Sequence, residues 1–174
     1  MHKYGVLVTG PESSGTKLVT RLLIDSGYSG SYFDEQPFDD YFNNEQLLPY
    51  MNCVFRRSIP HAQVNPDYQK IKYWINQSNL HLKTIITVRN YIPCLKSKIK
   101  RKHNTDDVTD EVLMDQFIYL GKWLEHLKPF LIINTSYLTT NSERTLIEIE
   151  QFLHTEIIRP FYIYDMDNTH YQRS

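Results

Sequence analysis

Cysteine is scarce in this sequence: Cys53 and Cys94 are the two it holds, and no C-x-x-C or Cys/His pair has the spacing of a zinc site. That excludes a disulfide framework as the organising device, gives no sign of a structural metal, and suits a reducing cytoplasm. Long apolar runs are also missing. YGVLVTG is too short for the core of a signal peptide and runs straight into a loop, and nothing approaches the roughly 18 apolar residues of a membrane span. The expectation is a cytoplasmic protein with no membrane span. Charge of one sign is absent too. Lys and Arg number 19 against 20 Asp and Glu, a net charge of -1. This argues against a general, non-specific nucleic-acid binder and makes any basic patch local. Glycine is sparse, 6 in 174 residues, and Gly10 and Gly15 fall in the same short loop.

What is present is ordinary for a globular chain: 41% hydrophobic and 22% charged residues, with tyrosine plentiful at 13. The length suffices for one domain, 1–174, with its own core. Short β-branched apolar runs alternate with helix-period segments. YGVLVT (4–9), NCVFRRS (52–58), KTIITVRN (83–90) and PFLIINTSY (129–137) read as buried strands. Helices are expected from Ser14 to about Ser26, with Gly27 as the C′ stop, and over 65–79, 92–102, 109–127 and 142–154. In the 109–127 helix Leu113, Phe117, Leu120 and Leu124 share a face. Ser142 or Asn141 is the candidate cap of the last helix. Residues 28–50 read as a loop-rich aromatic and acidic connection, and the last twenty as an aromatic, polar tail. Strands separated by helices predict a three-layer α/β/α domain with a parallel central sheet.

The stretch VTGPESSGTKLVTRLL (8–23) carries the most chemistry. A strand, a loop from Gly10 to Gly15 and then a helix point backbone N–H groups and a helix N-terminus at an anion. A Walker-type loop would read G-x-x-x-x-G-K-[ST], with the Lys on the β/γ-phosphates and the hydroxyl on Mg²⁺. Here the order is reversed: Thr16 precedes Lys17, so an ammonium group occupies the metal-ligand position. The acid that should end a later strand is also missing, since KTIITV leads to Arg89 and FLIIN ends in Asn134. The residues predict a phosphate site that needs no metal, with Lys17 supplying the charge that Mg²⁺ would bring.

The second informative stretch is RNYIPCLKS. Arg89 stands at a strand end, where ligands bind in open parallel sheets, and Ser97 follows eight residues on in the next helix. An Arg and a hydroxyl placed so suit a second phosphate. Together, PESSGTK and RNYIPCLKS resemble the two nucleotide motifs of the sulfotransferase superfamily, P-x-S-G-T after the first strand and R-N-P-x-D-x-x-x-S at a central strand end. LIINTSYLTTNSERTLIEIEQFLH resembles the family's late strand, turn and helix. The resemblance implies a P-loop NTPase-like fold. It also implies transfer of a sulfuryl group from 3′-phosphoadenosine-5′-phosphosulfate to a hydroxyl or amine of an acceptor, a small molecule or a glycan, without a metal. By position, Ser14, Gly15, Thr16 and Lys17 would hold the 5′-phosphosulfate, and Arg89 and Ser97 the 3′-phosphate.

The chain departs from the family pattern at Ser13, itself a candidate for binding the cofactor but standing where a Lys or Arg is usual, and at Tyr91 and Pro93 within the second motif. The family's C-terminal glycine-rich phosphate contact is missing. In so short a chain the acceptor pocket is either minimal or completed by another subunit of a homo-oligomer.

For the acceptor proton a base is needed, and His61, after the second strand, is the first candidate. A solvated loop His is the competing reading. Glu12, within the loop, comes next. Glu35, Asp39 and Asp40 are candidates for lining an acceptor site. The basic run KSKIKRKH (96–103) is either a solvated helix face or an extension of the anion field. His2, His103, His126, His154 and His170 read as structural or solvated. The alternative function is a P-loop kinase of a nucleoside or small metabolite that uses ATP and magnesium. A non-catalytic nucleotide-binding role is the third reading.

Overall fold

The computed structural model describes residues 4–11, 13–30, 52–59, 68–69, 73, 76, 81–90, 110–160 and 163. Four strands, β1 (Tyr4–Pro11), β2 (Asn52–Ile59), β3 (His81–Val88) and β4 (Phe130–Asn134), form one sheet in the order β2-β1-β3-β4. Every pairing is parallel, with Val6 opposite Val54 and Lys83, and Ile86 opposite Ile132. Helices with defined bounds among the described residues are α1 (Thr16–Asp25), α2 (Asp110–Trp123), α3 (Thr135–Thr140) and α4 (Ser142–Leu153). Tyr68, Gln69, Tyr73 and Asn76, within the helix expected over 65–79, are helical.

Side chains of successive strand residues point to opposite faces, and both faces are covered. On one, Val6, Val8, Val54, Ile85 and Ile133 pack against Leu18, Val19, Leu22 and Leu23 of α1, Leu138 of α3, and Leu146, Ile149 and Leu153 of α4. On the other, Leu7, Cys53, Phe55 and Ile86 pack against Tyr68, Leu120 and Leu127. Each fully buried Leu or Val contributes about 1.5–3 kcal/mol of transfer free energy before its entropic cost is subtracted. The chain therefore has the α/β architecture that its alternation of strand and helix predicts.

Local physics explains the first crossover. Leu18, Val19, Leu22 and Leu23 make the buried stripe of α1, while Lys17, Arg21 and Asp25 stay exposed. The helix stops as Gly27 predicts: Gly27 sits at φ +97, its N–H donates to the Ile24 carbonyl at 2.9 Å, and Tyr28 N–H donates to Leu23 at 3.0 Å. These two bonds satisfy carbonyls that the end of a helix leaves open, and only glycine enters that conformation cheaply.

Three expectations are corrected. The last strand ends at Asn134, and TSY (135–137) is helical, because the Asn134 side chain accepts the Ser136 N–H at 3.0 Å and starts α3. The 109–127 helix is α2 followed by a 3₁₀ turn over Leu124–Leu127; Leu120 and Leu124 pack as expected, but Phe117 is 46% exposed, and Tyr119, Trp123 and Leu127 complete the packed face. The end of the chain is more than a polar tail, since Ile157 and Ile163 are buried in the α1 and α4 core. Asn141 is the N-cap of α4 but makes no side-chain capping bond. The expected helix over 92–102, the basic run and residues 31–50 lie outside the described residues. No described helix is long and apolar enough to cross a membrane.

Candidate functional site

Strand order decides where a site can be. From β1 the chain moves through α1 to β2 on one side, and β3 then lies on β1's other side. Connections that leave β1 and its neighbour in opposite directions open a crevice at the carboxyl ends of the strands, and ligands of open α/β sheets bind there. The loop 10–15 after β1 and Arg89 and Asn90 after β3 flank that crevice. The two stretches that the sequence singles out, some seventy positions apart, meet at one edge of the sheet.

The loop's path is forced. Gly10, Ser13 and Gly15 all have positive φ (148, 67 and 98). A Cβ on Gly10 would lie 2.2 Å from the Thr87 carbonyl oxygen, and one on Gly15 would lie 2.7–2.9 Å from three side-chain atoms of Thr135. Both positions admit glycine on conformation and on space. Ser13 tolerates the left-handed region at some cost in strain.

Beneath the loop lies a floor of hydroxyl groups. Ser14 Oγ is 2.7 Å from Thr87 Oγ1, Thr87 Oγ1 donates to the Thr9 carbonyl at 3.3 Å, Thr16 Oγ1 is 3.3 Å from Ser58 Oγ, and Thr135 Oγ1 donates to the Ser14 carbonyl at 2.7 Å. All of these side chains are buried. On the other face Thr9 Oγ1 and the Tyr68 hydroxyl are 2.9 Å apart, and burial holds the Tyr68 hydroxyl well above the usual tyrosine range. The hydroxyls of Ser14 and Thr16 thus face the sheet, and Ser14 N–H is also used within the loop, donating to the Pro11 carbonyl at 3.0 Å. The loop leads into the start of α1. Gly15 caps that helix without a side-chain bond, and no acid stands in its first turn. Lys17 is exposed there.

Cations gather around this edge. Lys17 is in the first turn of α1, Arg56 and Arg57 lie opposite Val8 and Thr9, and Arg89 follows β3. Among the described residues, no carboxylate stands at the carboxyl end of any of the strands: β2 ends in Ser58 and Ile59, β3 leads to Arg89 and Asn90, and β4 ends in Asn134. Asn134 Nδ2 donates to Asn90 Oδ1 at 3.4 Å, which joins the ends of β3 and β4. Anionic groups fit such an edge: a helix start, a lysine and an arginine are present.

Of the residues that sequence reasoning proposes, Ser13, Ser14, Gly15, Thr16, Lys17 and Arg89 stand at this edge. Glu12, His61 and Ser97 lie outside the described residues, as do Glu35, Asp39 and Asp40. His81 and His126 sit at the opposite edge, where β3 and β4 begin, and His154 caps the end of α4 with its ring exposed. Cys53 is buried, and burial pushes its thiol up to about 12, so it is inert as a nucleophile at neutral pH. The residues that sequence reasoning missed are Ser58, Thr87 and Thr135. Threonine is common in strands, so nothing in its local pattern marks it. Only the register of the sheet brings these hydroxyls under the loop.

No protein-family model matches the chain, and no curated protein matches it in sequence.

Proposed function

We propose that the chain is a sulfotransferase with a P-loop NTPase-like fold. It takes a sulfuryl group from 3′-phosphoadenosine-5′-phosphosulfate and passes it to a hydroxyl or amine of a small molecule or a glycan. The observation that carries this reading is the meeting of the glycine-hemmed loop and Arg89 at one sheet edge, with Lys17 in the first turn of the helix that the loop enters. A donor with a phosphate at each end of its ribose suits two such anion-binding elements side by side. The Thr16–Lys17 order argues in the same direction, because an ammonium group replaces the hydroxyl that would hold a magnesium ion.

In this reaction the acceptor oxygen or nitrogen attacks sulfur, the bond between sulfur and the bridging phosphate oxygen breaks, and the bisphosphate leaves with the negative charge. The α1 N-terminus and Lys17 stabilise that charge as it develops. The acceptor proton goes to a base, for which His61 and then Glu12 are the candidates. Arg89, with Ser97, holds the 3′-phosphate and so selects this donor over ATP.

Calorimetric titration with 3′,5′-adenosine bisphosphate and with ATP–Mg²⁺, each with and without EDTA, tests the proposal. Metal-independent binding of the bisphosphate that weakens at least tenfold in Arg89→Ala is the expected result; a charge-assisted contact of about 1.5–3 kcal/mol has that size. A preference for ATP with magnesium would overturn it in favour of a metabolite kinase.

A further inference from the structure

We infer that Thr135 is a positioning residue that ties the loop after β1 to the exit of β3 and so sets the spacing of the two anion-binding elements. The inference rests on the phosphate-site reading above, and it concerns a side chain buried beneath the loop.

The geometry is specific. Thr135 is the first residue of α3, is 4% exposed, and directly follows β4, the strand farthest along the sheet from β2. Its Oγ1 lies 2.7 Å from the Ser14 carbonyl and 3.3 Å from the Val88 carbonyl, so a single O–H points between the loop and the last residue of β3. Its side chain is also the surface on which Gly15 rests, as the 2.7–2.9 Å approach of a notional Cβ shows. The residue before it, Asn134, reaches Asn90 at 3.4 Å while its Oδ1 accepts the Ser136 N–H at 3.0 Å. Arg89 lies between Val88 and Asn90. Its main chain is therefore flanked on both sides by residues that the β4–α3 junction contacts, and the same junction holds Ser14 and Gly15.

Physical consequences follow. Removing the Thr135 hydroxyl leaves the buried Ser14 carbonyl without that donor, and a buried unpaired carbonyl drives the backbone to rearrange. The backbone that moves is the loop itself, so its N–H groups lose their aim, and its distance from Arg89 is no longer defined. Thr135→Val keeps the volume and removes the donor, whereas Thr135→Ser keeps the donor and removes a methyl.

The test titrates 3′,5′-adenosine bisphosphate, 5′-AMP and ATP–Mg²⁺ into wild type, Thr135→Val and Thr135→Ser, with the melting temperature of each variant recorded. Thr135→Val is expected to bind the bisphosphate about tenfold more weakly, the size of one net hydrogen bond, and Thr135→Ser within about threefold of wild type. The affinity gained by the 3′-phosphate, read as the ratio of the AMP and bisphosphate dissociation constants, should shrink in Thr135→Val and persist in Thr135→Ser. Equal binding by wild type and Thr135→Val overturns the inference while leaving the sulfotransferase reading intact. So does an equal loss in both variants with the ratio unchanged, which is the mark of general destabilisation. If wild type prefers ATP–Mg²⁺, the donor reading fails, and the same tenfold contrast measured on ATP still decides the role of Thr135. No binding of any of the three by wild type overturns both. Should Thr135→Val not fold, Thr135→Ala replaces it against the same Thr135→Ser control.

Discussion

Two polar clusters in this molecule are built on opposite principles. Under the loop after β1, Ser14, Thr87, Thr16, Ser58 and Thr135 are neutral, buried and bonded to one another or to main chain. Beyond α4, Arg159 donates to Glu150 and, at 3.1 Å, to Glu143, while Glu150 also accepts the Ile157 N–H at 3.0 Å. That second cluster is exposed and its charges answer one another. It pins the segment after α4 to the helix, close to where Ile158 N–H reaches Ser26 Oγ at 3.2 Å. The first cluster contains no charge, and its work is to define the shape of a loop whose rim carries Lys17 and Arg89. A surface cluster of paired charges fastens a segment to a helix; a neutral buried floor fixes the shape of the loop above it.

The contrast can be broken most severely at the glycines. Gly10→Ala puts a methyl 2.2 Å from a main-chain oxygen at a φ of +148, and Gly15→Ala puts one against Thr135 at +98. Each should cost about 3 kcal/mol by chemical denaturation, overpacking and backbone strain together, and Gly10 should be the worse because a carbonyl cannot step aside. A loss below about 1 kcal/mol would mean that the loop is not held as described.

A smaller effect is expected on the other face of the sheet. Tyr68→Phe removes the hydroxyl 2.9 Å from Thr9 Oγ1 in a buried setting and should cost about 1.5 kcal/mol, with nucleotide binding unchanged. Altered binding would show that the two faces are coupled.

The exposed cluster should yield least. The Arg159 guanidinium, and then the Ile157 N–H, hold the Glu150 carboxyl down at about 2 against the usual 4.5. A carboxyl depressed on folding stabilises above its unfolded value and loses that contribution as pH falls through the folded one. Wild type should therefore melt slightly above Arg159→Ala at pH 7, by a small margin because exposed pairs are screened, and that margin should close between about pH 4.5 and pH 2. Parallel profiles would show that the cluster contributes nothing to stability.

Much of the fold was legible in the residues. Runs of β-branched residues located β1, β2 and β3 to within two residues at most ends, Gly27 marked the stop of α1, and SERTLIEIEQFL marked α4 to its last turn. These are local signals, readable without knowing what packs where. PFLIINTSY misled because Thr and Tyr favour strands, yet Asn134 caps a helix there, and the side-chain bond outweighs the propensity. Phe117 misled because helical spacing defines a stripe without fixing which flank of it meets the sheet; Tyr119 and Trp123, beside Tyr68, take that role.

At the candidate site the division is the same. The sequence by itself determined that a glycine-bounded loop enters a helix with Lys17 in its first turn, and that strand ends carry Arg89 and Asn134 where an acid is wanted for magnesium. The tertiary structure alone decided that the loop and Arg89 share one edge, because that depends on β1 lying between β2 and β3. It alone assembled the floor, since Ser58, Thr87 and Thr135 come from three strand ends distant in sequence. Local conformation is set by neighbours along the chain; which hydroxyl meets which carbonyl is set by strand order and register, and these arise only when the whole core is packed.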